Sequence, residues 1–372
     1  MRFFISVFAF LAAVSLFSNI PIVFAQDSCP LTLEEVKKDK RFKRIKPKEY
    51  KSLQSADSYL KCDYFWSGLI YREISYVNGK QEGLEKYYYE KARVPQVARE
   101  TPFIAGKKEG VQKVYHPSGK IKGEIPFVDD KADGIGKAYY ESGKVSWELT
   151  CVANIPEGNA KLYYENGKLK GEEPYIAGKK EKIATYYYEN GNLQAEIPYR
   201  NNQIEGTMKK YYENGTLYSE TPFFADKLEG VEKIYRKDGI LAYETQFTEN
   251  QLEGITKIYD ENGKLYAELQ FIAGKPKGIA KLYRQDGTIL QSIADSSRTY
   301  SEGTYYNQDG TTRPLTDEEL LKWSNFIWTG SEYLNEIQDD YYANRIKKTV
   351  TDADGPKLFN LDMKPKYVIT RP

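Results

Sequence analysis

Hydrophobic and polar residues alternate along most of this chain, and the alternation repeats with a period of 24 residues from Arg99 to Leu290. A tyrosine recurs at Tyr115, Tyr139, Tyr163, Tyr187, Tyr211, Tyr235, Tyr259 and Tyr283, and a glutamate keeps the same step from Glu100 to Glu268. Alternation with period two predicts half-buried strands. Self-similarity at a fixed longer period predicts one supersecondary unit stacked on its neighbours. Units begin at Arg99, Gly123, Trp147, Gly171, Ala195, Ser219, Tyr243 and Ala267, after a longer first unit from Arg72. Each carries two turn signals. The first (Ala105-Gly106, Asp129-Asp130 and their equivalents) ends in Gly, Asn or Asp, which tolerate a left-handed backbone. The second (Ser118-Gly119, Asn166-Gly167, Asp238-Gly239) has the composition of a two-residue hairpin turn. The expected fold is mainly β: a single long antiparallel meander of stacked hairpins, an open curved or twisted sheet with small helical end caps.

Two-residue turns fix a register. They set Lys113 opposite Glu124, Lys137 opposite Glu148 and Lys161 opposite Glu172, and likewise Lys209–Glu220, Lys233–Glu244 and Lys257–Glu268. Opposite charges facing across a sheet contribute roughly 0.2–1 kcal/mol per pair, so chemistry and turn geometry agree. The same register lays an aromatic over a glycine in Gly110–Phe127, Gly158–Tyr175, Gly206–Phe223, Gly230–Phe247 and Gly254–Phe271. A bulge at that glycine is the alternative and would shift the pairs by one. Alternation then gives an inner face with Phe103, Phe127, Tyr175, Tyr199, Phe223, Phe247 and Phe271, joined by the aliphatic row from Ile121 to Ile289. The other face takes the Lys–Glu pairs, the recurrent tyrosines and Val111, Ile135, Val231 and Ile255. Pro102, Pro126, Pro174, Pro198 and Pro222 lack the donor a central strand needs, so pairing is expected to lapse beside them. The unit from Gly171 departs twice: Lys182 replaces the glycine, and Thr185 replaces the paired lysine of Glu196.

The flanks read differently. Residues 1–25 have one positive residue, an apolar run and small residues before Gln26, the pattern of an export signal. A retained membrane anchor is the alternative, weakened by Ser18, Asn19 and Pro21. Residues 26–71 form an N-terminal cap with a capping-box start at Thr32–Glu35, residues 72–290 hold nine repeats, and 291–314 hold a degenerate one. Residues 315–372 form a C-terminal helical cap that opens with a second capping box, Thr316–Glu319. The caps cover open sheet edges, and the tryptophans Trp323 and Trp328 offer a docking surface as the alternative role.

The net charge is +1, and removing residues 1–25, which contain Arg2 and no acid, leaves 0. A neutral chain with interspersed signs gives no electrostatic case for nucleic acid. Export would place Cys29 and Cys62 where they can close a disulfide. Cys151 stands where other units have Phe or Tyr and reads as a small buried hydrophobe. His116 is the single histidine, at a position often held by Tyr. No nucleophile–base arrangement, metal-ligand set or phosphate loop can be assembled, so neither enzymatic activity nor a cofactor is expected. The candidate interaction surface is Tyr139, Tyr163, Tyr187 and Tyr211 with Lys182, Trp323 and Trp328.

The stretch Glu157-Gly158-Asn159-Ala160-Lys161-Leu162-Tyr163-Tyr164-Glu165-Asn166-Gly167-Lys168-Leu169 resembles the variant MORN repeat, typical of bacterial proteins labelled YwqK-family antitoxins. The resemblance covers residues 72–290. It implies a repeated β-hairpin protein used for interaction, in some members to neutralise a toxin. The functional expectation is an exported protein-binding scaffold, periplasmic or secreted, with no integral span after signal cleavage. The alternative is an envelope protein that binds cell-wall glycan or peptidoglycan through its tyrosines.

Overall fold

The computed structural model describes residues 28–40, 42–46, 49–52, 57–90, 95–294 and 302–323. The export signal read in 1–25, and Trp328, lie outside these residues. The chain falls into two compact units, one ending at Glu109 and one starting at Gly110.

In the first unit, Thr32 caps a short helix, Leu33–Lys38, through a reciprocal capping box with Glu35. Antiparallel strands follow, among them Ser58–Tyr64, Ile70–Val77, Gly83–Tyr88 and Val97–Ile104. A disulfide joins Cys29 to Cys62, the Cys29 amide donates to Glu73 at 3.1 Å, and Thr32 bridges to Leu69. Val36, Leu60, Ile70 and Tyr88 bury together around these links. They tie the N-terminal segment to the first repeat.

In the second unit, each repeat is a pair of antiparallel strands, and every charge pair and glycine–aromatic pair expected from the register is present. The route to that register is different, however. The first turn has two residues, both left-handed, as at Asp129 (φ 52°) and Asp130 (φ 67°). The second has three. His116 and Lys120 close the hairpin at 2.8 Å, the Gly119 amide donates back to the His116 carbonyl, and Gly119 takes φ +88°. This is a tight turn followed by a left-handed glycine. The extra loop residue shifts the pairing by one, giving Tyr115↔Ile121, and a bulge at Lys122 shifts it back, giving Val114↔Gly123 and Lys113↔Glu124. The two offsets cancel in every repeat.

The bulge reverses the parity of the residues before it. Ile121, Val145, Leu169, Leu193, Leu217, Leu241, Leu265 and Ile289 pair directly with the recurrent tyrosines. They therefore share the outer face, not the inner face expected from strict alternation. The bulge also lies there rather than at the glycine that faces the next aromatic. That glycine takes part in a second irregularity, towards its own hairpin. Pairing slips by two between Phe127↔Ala132 and Glu124↔Lys137, with Gly134 at φ +114° in the interval. Pro126 sits opposite, where no donor is required, and its carbonyl accepts from Asp133 at 3.0 Å. The lapse expected beside the prolines is this slip in pairing.

The inner face carries the core. Val114, Ile125, Ala138, Trp147, Leu149 and Leu162 form one buried cluster, with free Cys151 buried among them. A second runs from Ala184 through Phe223, Phe247 and Phe271 to Leu315 and Trp323. Glu173 lies on the strand between the two clusters, only 4% exposed. It accepts from Tyr186 at 2.5 Å and pairs with Lys180 at 2.8 Å. A buried charge is tolerated when paired and hydrogen-bonded in this way.

Candidate functional site

The outer face of the second unit is built from three repeating rows. In the first, glutamates stand between lysines on both neighbouring strands except beside Thr185, which faces Glu172 and Glu196: Glu244 faces Lys233 on one side and Lys257 on the other. Glu196, which loses one lysine to Thr185, has Lys209 on its other side. The expected loss of the lysine opposite Glu196 on that strand is present, and the strand on the other side supplies Lys209 at the facing position.

The second row shows what the glutamates hold. Tyr139, Tyr163, Tyr211, Tyr235, Tyr259 and Tyr283 each donate a hydroxyl to the glutamate 15 positions earlier, five of them at 2.7–2.8 Å and Tyr235 at 3.1 Å. The lysines stand off at 3.7–3.8 Å where they pair at all. Burial, then the carboxylate bonded to the hydroxyl, pushes Tyr139, Tyr163, Tyr211 and Tyr283 up to about 12. The third row is aliphatic: Val111, Ile135, Ile183, Val231, Ile255 and Ile279 are 43–54% exposed. Four of these were placed on this face by alternation, but the exposure was not legible.

A further row ties the repeats together. Tyr140, Tyr164, Tyr188 and Tyr212 each donate to the carbonyl of the next repeat's recurrent tyrosine at 2.6–2.8 Å. His116 contacts the Tyr139 carbonyl at 3.1 Å in the same place. The first turns stack as well. The Asn202 amide donates to the Lys180 carbonyl at 3.0 Å, while its side chain accepts from the Lys180 amide at 2.7 Å.

Of the nominated surface residues, Tyr139, Tyr163, Tyr187 and Tyr211 share the half-buried outer row. Lys182 is exposed nearby, left-handed at φ 67° in a position that glycine holds elsewhere. Trp323 is a correction. It is 2% exposed, packed with Leu315 and Ile293, and donates to Gln291 at 2.9 Å. Its apolar body completes the core at the end of the array, so it presents no docking surface. Trp328 lies outside the described residues. Among the described residues no group of three or more His, Cys, Asp or Glu is placed to hold a metal, and no helix is long and apolar enough to cross a membrane.

A family model described as the MORN repeat variant matches residues 108–129, 156–177, 180–201, 204–224 and 252–273. No curated protein matches the chain. Among solved structures, a porin-like protein from Bacteroides uniformis ATCC 8492 is similar over 62% of this chain and 92% of its own, at 8% identity and a TM-score of 0.17. That likeness is too slight to carry an argument. The matched segments fall in step with the hairpins described above, and these five segments between residues 108 and 273 are repeats of the MORN variant.

Proposed function

We propose that this chain is a non-enzymatic, exported binding protein whose repeats display the outer face to another protein. The observation that carries this reading is the exposed aliphatic row from Val111 to Ile279, repeated beside a charge-balanced lysine–glutamate row. Recurrent exposed apolar groups rimmed by polar ones are what a protein interface uses. The Cys29–Cys62 disulfide and the pattern of residues 1–25 support export, since disulfides persist in oxidising compartments. Toxin neutralisation is one form such binding takes in the family that the sequence resembles.

The test is affinity capture from envelope extract with wild type and a triple variant, Ile135→Lys, Ile183→Lys and Ile255→Lys. A stoichiometric partner recovered by wild type and lost by a variant of equal melting temperature supports the reading. Equal recovery refutes it. Glycan binding is the second reading, favoured by tyrosine rings held in a regular row with their hydroxyls fixed. Absence of sedimentation with purified cell wall would remove it.

A further inference from the structure

The second unit carries a cleft that the repeat pattern does not explain. Its volume is about 170 Å³, and its lining includes His116, Lys122, Tyr140, Ser146, Trp147 and Lys170. Trp147 stands at the first position of its unit, where the units on either side have Gly123 and Gly171. With Ala138 and Leu162 it makes a buried floor. The walls are fixed: the Tyr140 hydroxyl donates to the Tyr163 carbonyl at 2.6 Å, and the His116 ring is held between the Tyr139 carbonyl and Glu141, each at 3.1 Å.

Lys122, Ser146 and Lys170 occupy the bulge position of three successive units, where the side chain is not committed to a cross-strand pair. Later units place Gln194, Tyr218, Ala242, Tyr266 and Leu290 there, so the cationic pair belongs to this end of the array alone. Outer-face lysines are opposed by glutamates. Lys122 and Lys170, by contrast, make no ion pair among the described residues, and the Lys170 ammonium lies 5.7 Å from the Tyr164 ring.

We propose that this cleft binds an extended acidic segment of a partner protein. Its carboxylates meet Lys122 and Lys170, and an apolar residue between them lies over Tyr140 and Trp147. Charge complementarity and spacing select this occupant. The backbones that carry the lysines are two units apart, four strands at ~4.8 Å each, or ~19 Å along the sheet. A single small anion does not span that distance, whereas extended chain at ~3.3 Å per residue places two carboxylates about six residues apart across it.

The proposal rests on the protein-binding reading but uses none of the exposed aliphatic row, so the isoleucine variants and the lysine variants can fail independently. The experiment is fluorescence anisotropy of labelled synthetic peptides titrated with the full chain. One peptide carries two glutamates six residues apart around a leucine, and the other carries them adjacent. The first is expected to bind more tightly, with Lys122→Gln and Lys170→Gln each weakening it about fivefold. Lys122→Arg, which keeps the charge, should retain binding, and Lys257→Gln on the outer row should leave it unchanged. Equal binding of the two peptides, or insensitivity to both lysine variants in chains of unaltered melting temperature, overturns the proposal. So does tighter binding by a uronate oligosaccharide of equal charge, which would assign the cleft to a glycan.

Discussion

Glu244 has three partners at two ranges, and this makes its energetics testable. Tyr259 donates to it at 2.7 Å, while Lys233 and Lys257 lie at 3.7 and 3.8 Å. The glutamate side chain is 21% exposed and the lysines are 41–42% exposed. A hydrogen bond to a charged group contributes ~1.5–3 kcal/mol when sheltered. Partial exposure of this site brings the expectation to ~1 kcal/mol. Exposed ion pairs are worth ~0.2–1 kcal/mol, and a pair standing beyond 3.5 Å belongs at the lower end. A double-mutant cycle with Tyr259→Phe and Glu244→Gln is therefore expected to give a coupling of ~1 kcal/mol. The cycle with Lys257→Met should give ~0.3 kcal/mol. Urea midpoints at constant slope provide the readout. Because salt screens exposed charges, 1 M NaCl should erase the lysine coupling and leave most of the tyrosine coupling. A lysine coupling larger than the tyrosine coupling would refute the assignment of the glutamate row to its tyrosines.

Other outcomes follow from the same geometry. Because Tyr139, Tyr163, Tyr211 and Tyr283 are raised from 10 to about 12 in the fold, their contribution is present below pH 10 and is lost as pH rises through about 12. Melting curves between pH 9 and 12 should show this loss, and Tyr→Phe variants should flatten it. Burial pushes the Glu232 carboxyl up to about 7, against the lowering effects of the Thr221 hydroxyl at 2.9 Å and of Lys210. With the folded value above the unfolded one, stability should fall as pH rises from 4.5 through about 7, and Glu232→Gln should stabilise the chain at pH 8 by ~2 kcal/mol. Lys182→Gly should relieve a left-handed backbone and raise the urea midpoint by an equivalent of ~1 kcal/mol. Gly230→Ala, at φ +113° with a Cβ 3.2 Å from Pro222, should lower it by more. Equal midpoints for those two variants would remove the strain assignment. Reducing Cys29–Cys62, which closes a loop of 33 residues in separation, should cost ~3–4 kcal/mol, read as a lower melting temperature of the first unit in dithiothreitol.

The sequence carries the register because lysine and glutamate, glycine and aromatic, keep constant offsets whatever the loop between them does. It conceals the loop for the same reason. Asn-Gly and Asp-Gly suit both a two-residue turn and the last two residues of a three-residue loop. In the longer loop, Asn190 accepts from the Asn192 amide at 2.8 Å while Gly191 turns left-handed. Only the aliphatic row could have distinguished them. Leu193 and its equivalents pair with tyrosine once the bulge is counted, but strict alternation gives no sign of an extra residue. The buried charge of Glu173 was equally hidden. Its partners, Lys180 and Tyr186, are legible only once the slip in pairing between Tyr175↔Lys180 and Glu172↔Thr185 is known. Lys182, by contrast, was visible from its absence of glycine, and the structure places it on the exposed surface at a strained backbone.

The cancellation between the three-residue loop and the bulge has an evolutionary consequence. A unit of 24 residues leaves the pairing offset where it found it, so removing or duplicating one whole unit conserves every turn, charge pair and stacked tyrosine on either side. Array length can then drift by unequal recombination without a folding penalty in proportion to the change. An insertion of one or two residues, by contrast, puts the charge pair that spans it out of step. Selection on such a gene would tolerate whole-repeat gains and losses while purging small indels, and the length of its interaction surface would become a heritable variable in steps of one hairpin.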